Sequence, residues 1–473
     1  MLPNELFNDP DIFYLYQQFI YKTIIFESVS KVLPDYEEDQ SVLKNDGLDY
    51  PSLSMKYRCT TNRLTMKIDW VSTSGSFSLA TMKVKLHSQP PPTTTYYYWE
   101  KNVQEIHKFQ QKAKPDENER LSDALSLIPN NGLFINIKIG INGFDLLGQH
   151  IFRCALEKGI QVVAINDKSI PLDYMIYMSK YNSTHGKFKG TISNYFNGTL
   201  IANGQVINVF MEKEASKIPW NQFDAEYVIE TTDESTTIDK CQQHLQAGVK
   251  KVIITRSSSD VPMFVMGVNQ DKYTGKERIL SSASSTTNSL APLVKVVHEK
   301  FGIIEGLMTI IHSYTPIQNI IDGPSDKGLR CGRGAAQNII PLKTDVAKDI
   351  GKIIPDLNEK LTGIVLHVPT PSVSVIDLSI RLNTHAKYEE IRNTIKEAAS
   401  GPLRNILAYT KDKVVSTDFI GDTHSSIFNA KPGISLNDNF VKLIAWYDNE
   451  YGYAHCIVDL IKYIARKDRE YQA

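Results

Sequence analysis

The chain has 473 residues, of which 42% are hydrophobic and 22% charged, with a formal net charge of −1 and a pI near 6.8. That length implies roughly two to four domains of an ordinary globular protein. The balanced charge offers no basic excess for nucleic acid or an anionic membrane. Cys59, Cys154, Cys241, Cys331 and Cys456 are odd in number and widely spaced, so neither a disulfide framework nor a zinc motif is expected. The start, MLPNELFNDPD, is acidic, unlike a secretory signal, and the apolar run FIYKTIIF carries Lys22 and is too short to span a bilayer. The expectation is a reducing, cytoplasmic compartment and no membrane partner.

In chain order, the apolar spacing of residues 11–33 predicts an amphipathic helix. RLTMKIDWVSTSGSFSLATMKVKLH, at 63–87, alternates apolar and polar around STSGS and predicts a hairpin with a loose loop. SQPPPTTTYYYWE, at 88–100, is a Pro-Thr-Tyr tract that favours extended backbone. The stretch after it reads as helix, a break at Pro115, then helix. Residues 1–134 therefore read as an extension or linker, with a small binding module as the alternative.

From residue 135 the pattern changes. FINIKIGING is a continuous apolar strand ending in glycine, FDLLGQHIFRCALEKG has helical spacing with Gly159 as a stop, and IQVVAIND is a second strand ending in Asp167. Strand, glycine turn, helix, strand and acid form the start of a dinucleotide-binding unit. AEYVIETT and VKKVIITR add strands around a helix near 236–247, which implies a parallel sheet covered on both faces. Beyond about residue 302 the strands lengthen (GIIEGLMTIIHSYT, LTGIVLHVPT, VSVIDLSIRL), as in an antiparallel or mixed sheet. DNEYGYAHCIVDLIKYIARKD predicts a closing amphipathic helix.

The runs YMSKYNSTHGKFKGT, PMFVMGVN, APLVKVVHEKFGIIEGLMT, RGAAQNIIP, KLTGIVLHVPT and NDNFVKLIAWYDNEYGYAHCIVDL closely resemble glyceraldehyde-3-phosphate dehydrogenase over about residues 135–468. The resemblance implies an α/β fold: a doubly wound Rossmann domain over 135–284, an α+β catalytic domain with a mixed sheet over 285–446, and a C-terminal helix, 447–473, packing back on the first domain. It also implies NAD as cofactor, a triose phosphate as substrate, hydride transfer from a thiol-bound adduct, and a tetramer. Residues 1–134 have no counterpart in the family.

The resemblance also assigns residues, and several depart from the pattern. The family's Ala-Ser-Cys-Thr-Thr-Asn-Cys reads Ala283-Ser284-Ser285-Thr286-Thr287-Asn288-Ser289, so Ser285 stands at the nucleophile position and His312, 27 positions on, at the base. A thiol is partly ionised at neutral pH and leaves a reactive thioester, whereas a serine hydroxyl is hardly ionised and needs a base held by a third group. The alternative role for Ser285 is the cap of a helix N-terminus. For the two anion sites, Ser284, Thr286, Thr315 and Thr344 are hydroxyl donors, but His367 replaces the substrate-phosphate arginine, Asp345 replaces a glycine, and Ile317 a polar residue. In the cofactor fingerprint, Gly143-Phe144-Asp145-Leu146-Leu147-Gly148, Asp145 replaces the middle glycine and Leu146 an arginine. Asp167 fits the adenosine-ribose acid. Thr232 lies in the turn Glu230–Thr236, in which Asp233 and Glu234 bring two more acids, with Arg256 as a candidate partner for one of them. Asn449 and Tyr453 match the nicotinamide end. No residue set suggests a metal site.

Three readings follow. The first is a family member with weakened NAD binding and impaired catalysis, surviving as an interaction protein in a homo- or hetero-tetramer with dehydrogenase subunits. The second is an NAD-dependent glycolytic enzyme acting on glyceraldehyde 3-phosphate with residual activity. The third places the activity in residues 1–134.

Overall fold

A computed structural model describes residues 137–195, 198–232 and 237–472, and the backbone of four strands between residues 37 and 85. The chain divides into two units, Met1–Gly132 and Leu133–Ala473. In the first, β1 (Glu37–Ser41), β2 (Ser52–Thr60), β3 (Arg63–Ser72) and β4 (Gly75–Lys85) form an antiparallel meander in sequence order. The expected hairpin is β3–β4, closed by the pair Ser72 and Gly75. The helix expected at 11–33, the Pro-Thr-Tyr tract and the helical stretch around Pro115 lie outside the described residues.

The second unit opens with the nucleotide-binding pattern. Strands β5 (Lys138–Asn142), β6 (Gln161–Asn166), β7 (Ile192–Asn194), β8 (Thr199–Ala202), β9 (Gln205–Phe210), β10 (Tyr227–Glu230), β11 (Lys251–Ile254) and β12 (Ile279–Ser281) stand in the order 12-11-10-5-6-9-8-7. The run from β12 to β9 is parallel throughout, and β8 and β7 add antiparallel pairs at one edge. The continuous apolar strands follow from this: β5, β10 and β11 are buried on both faces by flanking helices. Those helices include α1 (Leu146–Glu157), α2 (Leu172–Lys180) and α3 (Ile238–Gln246). Gly159 ends α1 in the left-handed region, φ 71°, which a β-carbon would strain.

The second sheet is mixed, as expected. Helix α4 (Ser285–Phe301) leads into β13 (Ile303–Ser313), and β14 (Ile340–Lys343), α5 (Val346–Ile353), β15 (Leu361–Val368), β16 (Ser374–Leu382), α6 (Tyr388–Ser400), β17 (Leu407–Thr410), β18 (Ser426–Asn437) and β19 (Phe440–Tyr447) follow. The order is 14-15-13-16-19-18-17, with β13–β15 and β17–β18 parallel and the other pairs antiparallel. Helix α4 lies in the core of this sheet through Leu290, Leu293, Val294 and Val297. The last helix, α7 (Tyr451–Gln472), instead buries Tyr453, Ala454, Ile457, Ile461 and Ile464 in the core of the first sheet, beside Ile139 and Phe152. The chain thus returns to its nucleotide-binding half, which sets the end of β19 next to the start of α4.

One buried group is a liability. His150, on α1, is fully buried, and neither ring nitrogen has a hydrogen-bond partner among the described residues. Its ring centroid lies 4.3 Å from that of His185. Burial, reinforced by His185, lowers its pKa to about 3. The folded value lies below the ordinary 6.5, so the unfolded chain binds the proton first. Stability is full above about pH 6.5 and declines as pH falls through the window toward 3. His150→Leu should therefore raise the melting temperature at pH 7, by relief of unpaired nitrogens worth about 1–3 kcal/mol. The advantage should widen at pH 5, and equal melting curves for both proteins at both pH values would refute this.

Candidate active site

The site assembles at the N-terminus of α4, where the two halves meet. Ala283 enters it in the left-handed region, φ 59°, and is completely buried. Tyr453, from α7, holds that turn: its hydroxyl lies 2.8 Å from the Thr255 carbonyl, 2.6 Å from the Ala283 carbonyl and 2.7 Å from Ser282 Oγ. Its ring is buried, and its hydroxyl braces the strand-to-helix turn.

The helix cap is Ser284, whose Oγ accepts from the Thr287 N–H at 3.1 Å. This corrects the alternative role expected for Ser285, which is the first helical residue. Ser285 is half-buried, and no hydrogen bond of its hydroxyl is found among the described residues. Ser289, one turn further, is buried with an unpartnered Oγ.

His312 sits near the end of β13, directly opposite His367 on parallel β15, with ring centroids 4.8 Å apart. Tyr447 links them to α4: its hydroxyl lies 2.8 Å from Thr286 Oγ1, and its ring centroid lies 6.2 Å from that of His312. The fold therefore brings the start of α4 and His312 to one place, although no hydrogen bond joins Ser285 to His312 among the described residues. His312 Nδ1 donates to the Ser313 carbonyl at 2.6 Å, so the neutral ring keeps its lone pair on Nε2. Burial lowers the His312 pKa, against the Ser313 contact, and keeps it neutral at pH 7. His367 is lowered to about 4, by burial first and by His312 second. It brings no positive charge to the place where the resemblance implies an arginine.

The candidate anion-binding hydroxyls are already engaged within the chain. Ser284 Oγ lies 2.8 Å from Thr287 Oγ1, Thr286 is bound to Tyr447, Thr315 Oγ1 donates to Gln318 Oε1 at 3.2 Å, and Thr344 Oγ1 accepts from the Val346 N–H at 3.2 Å. Asp345 stands where the family pattern has glycine. It is exposed and pairs with Lys348 at 2.8 Å, so water screens it. Ile317 is exposed at the rim.

A different carboxylate does intrude, and the sequence reading missed it. Asp349, on α5, is buried and accepts from the hydroxyls of Ser257 and Thr287, the latter at 3.3 Å. Burial raises its pKa, and the two hydroxyl bonds oppose the rise. An internal acid thus stands behind the first turn of α4, where the helix dipole attracts negative charge. Asp349 and Thr287 are 62 positions apart, so no local spacing reveals the pair.

The nucleotide cradle keeps its backbone geometry. Gly143 has φ 95°, and a β-carbon there would lie 2.2 Å from Thr231 Oγ1; one on Gly148 would lie 2.2 Å from the Gly143 carbonyl. Both glycines are required by close approach. Asp167 Oδ2 accepts from the Phe144 N–H at 2.8 Å, while Oδ1 accepts from Ser169 and Ile170. Asp167 keeps further acceptor capacity for a ribose hydroxyl. Phe144 is buried edge-on to Phe152, and Leu146 and Leu147 are half-buried.

Asp145 caps α1, with Oδ1 accepting from the Gly148 N–H at 3.0 Å. The carboxylate therefore takes the helix N-terminus that would meet a pyrophosphate. Thr232 donates its N–H to Glu230 Oε1 at 2.7 Å, whereas Asp233 and Glu234, the acids proposed as partners for Arg256, lie outside the described residues. Asn449 is committed: its Nδ2 donates to Ser313 Oγ and to Glu450 Oε1, and its Oδ1 accepts from Ser374 at 2.6 Å. Both amide hydrogens are thus engaged within the chain. The glycines and Asp167 thus fit a dinucleotide, and the charge at Asp145 opposes it.

Comparison with known proteins agrees with this architecture. The model of the glyceraldehyde 3-phosphate dehydrogenase NAD binding domain matches residues 137–238, and that of the C-terminal domain matches 284–449. Glyceraldehyde-3-phosphate dehydrogenase 2 of Drosophila melanogaster is 56% identical over 331 residues, covering 70% of this chain and 99% of the fly protein. Glyceraldehyde-3-phosphate dehydrogenase of Claviceps purpurea (strain 20.1) is 55% identical over 333 residues, covering 70% of this chain and 98% of that protein. The testis-specific form of Rattus norvegicus is 54% identical over 334 residues, covering 70% and 77%. Two matching family models and relatives 54–56% identical, covered over 77–99% of their length, show that the chain belongs to the glyceraldehyde 3-phosphate dehydrogenase family.

Proposed function

We propose that this chain is a family member whose phosphorylating dehydrogenase activity is severely impaired and whose remaining role is assembly with other subunits. One observation carries the reading: the reacting position is Ser285, a hydroxyl with no hydrogen bond to a base among the described residues. Neutral His367 and buried Asp349 compound the loss, because both lower the affinity of the site for anions. The deciding assay supplies NAD, inorganic phosphate and glyceraldehyde 3-phosphate to the purified chain and follows NADH. The partners proposed are like subunits or active dehydrogenase subunits, in the cytoplasm.

A second reading, residual oxidoreductase activity, is favoured by His312. Its Nδ1–H is fixed on a backbone carbonyl, which leaves Nε2 in the tautomer that a general base needs. A competent base without a competent nucleophile supports slow chemistry at most.

NAD is the cofactor this fold is built for, and when bound it accepts a hydride. Gly143, Gly148 and Asp167 would hold its adenosine and pyrophosphate portions. Asp145 is exposed, so its repulsion toward pyrophosphate sits at the low end of the Coulomb range, about 1 kcal/mol or fivefold in affinity. Asp145→Gly should tighten NAD about fivefold in calorimetric titration, at a stability cost of a few tenths of a kcal/mol for the lost cap. Unchanged affinity would show that the carboxylate is harmless there.

A further inference from the structure

We propose that Cys154, Glu157 and His455 form a divalent-cation site of zinc type that clips α7 to α1. Cys154 and Glu157 are three residues apart on α1 and share a face, and His455 projects from near the start of α7. The three donor atoms lie within 4.8 Å of one another. His455 Nε2 lies 3.6 Å from Glu157 Oε2, beyond a hydrogen bond. Zinc bonds of roughly 2.0 Å to nitrogen and oxygen place such donors about 3.3 Å apart, so this pair needs to close by only about 0.3 Å.

A second observation points to a ligand. His455 is 8% exposed, and its Nε2 has no hydrogen-bond partner in the described chain, although it faces the thiol and the carboxylate. A buried ring nitrogen whose nearest acceptor is a carboxylate oxygen at 3.6 Å is poorly satisfied, and a cation between the two satisfies both. Sulfur, imidazole and carboxylate together suit zinc over magnesium or calcium, which take oxygen donors. A thiolate and a carboxylate supply two negative charges against a divalent ion. Lys158, the nearby cation, is paired with Asp459 at 2.6 Å. Glu157 is exposed and opens the site to solvent, with water as the fourth ligand.

The test uses the full chain, stripped with chelator and titrated with zinc chloride alone by calorimetry and native mass spectrometry. One equivalent should bind and raise the melting temperature. Glu157→Gln and His455→Asn should each weaken it by about tenfold or more. Cobalt substitution should give a thiolate charge-transfer band that Cys154→Ala abolishes and Cys241→Ala leaves. Absence of zinc binding, affinity unchanged in both Glu157→Gln and His455→Asn, or cobalt spectra without a sulfur band would overturn the proposal. Should Cys154→Ala fail to fold, the exposed Glu157→Gln decides. None of these readouts depends on dehydrogenase activity.

Discussion

The purified chain, given NAD, phosphate and glyceraldehyde 3-phosphate, should form NADH roughly 10⁴-fold or more slowly than a thiol-bearing relative, the scale on which nucleophile removal acts. The cause is atomic. A hydroxyl at Ser285 is hardly ionised at neutral pH, and the ester it would form donates its acyl group to phosphate less readily than a thioester. Ser285→Cys restores the sulfur but not the anion site. His367 is neutral there, and a lost charge-assisted hydrogen bond costs about 1.5–3 kcal/mol, roughly 10- to 150-fold. Ser285→Cys alone should therefore remain well below the relative, and adding His367→Arg should raise kcat/KM by about that factor. Replacing Asp349 by Ala in the same background should lower the pKa of the new thiol, read from the pH profile of its alkylation, because the helix N-terminus then stabilises thiolate unopposed. NADH formation by the unaltered chain at ordinary glycolytic rates would end this account.

The second large effect concerns stability. His244→Leu should destabilise the second unit by about 3 kcal/mol or more, seen as a lower denaturant midpoint. Trp220 Nε1 donates to His244 Nδ1 at 3.1 Å, so Nε2 carries the hydrogen and donates to Glu230 Oε2 at 2.9 Å. Glu230 also accepts from Asn142 Nδ2 and the Thr232 N–H, each at 2.7 Å, and no atom of this chain of contacts reaches solvent at His244, Glu230 or Trp220. Removing the imidazole leaves a buried carboxylate short of a donor and an indole N–H unpaired. Because Asn142 and Thr232 flank Gly143, the damage should spread to the nucleotide cradle, and NAD affinity should fall with stability. A variant as stable as the parent would show that water replaces the ring at little cost.

The architecture was legible in the sequence because burial imposes period. Strands covered on both faces must be apolar throughout, as in β5, β10 and β11, and the glycine at Gly143 is forced by the 2.2 Å approach of Thr231. The substitutions that matter to chemistry, Ser285, His367 and Asp145, were equally visible, since each departs from a contiguous motif. Side-chain direction was not. Asp345 is adjacent to a phosphate-loop hydroxyl in sequence yet turns to Lys348 and water, while Asp349, four residues on, is the acid that reaches α4. Asp345 stands at the N-cap, before the helical backbone of α5 begins, and its side chain turns to solvent, whereas Asp349 lies inside the helix, and only packing turns its face toward α4. Likewise, Ser284 and Ser285 are both good capping residues, and the backbone turn braced by Tyr453 chooses between them. The sequence by itself determined the family, the two sheets and the loss of sulfur at the reacting position, because these rest on local pattern and residue identity. Tertiary structure alone decided where the carboxylates point and that Asn449 has no amide hydrogen to spare. It also decided that Cys154 and Glu157 meet His455, since each depends on contacts between residues far apart in the chain.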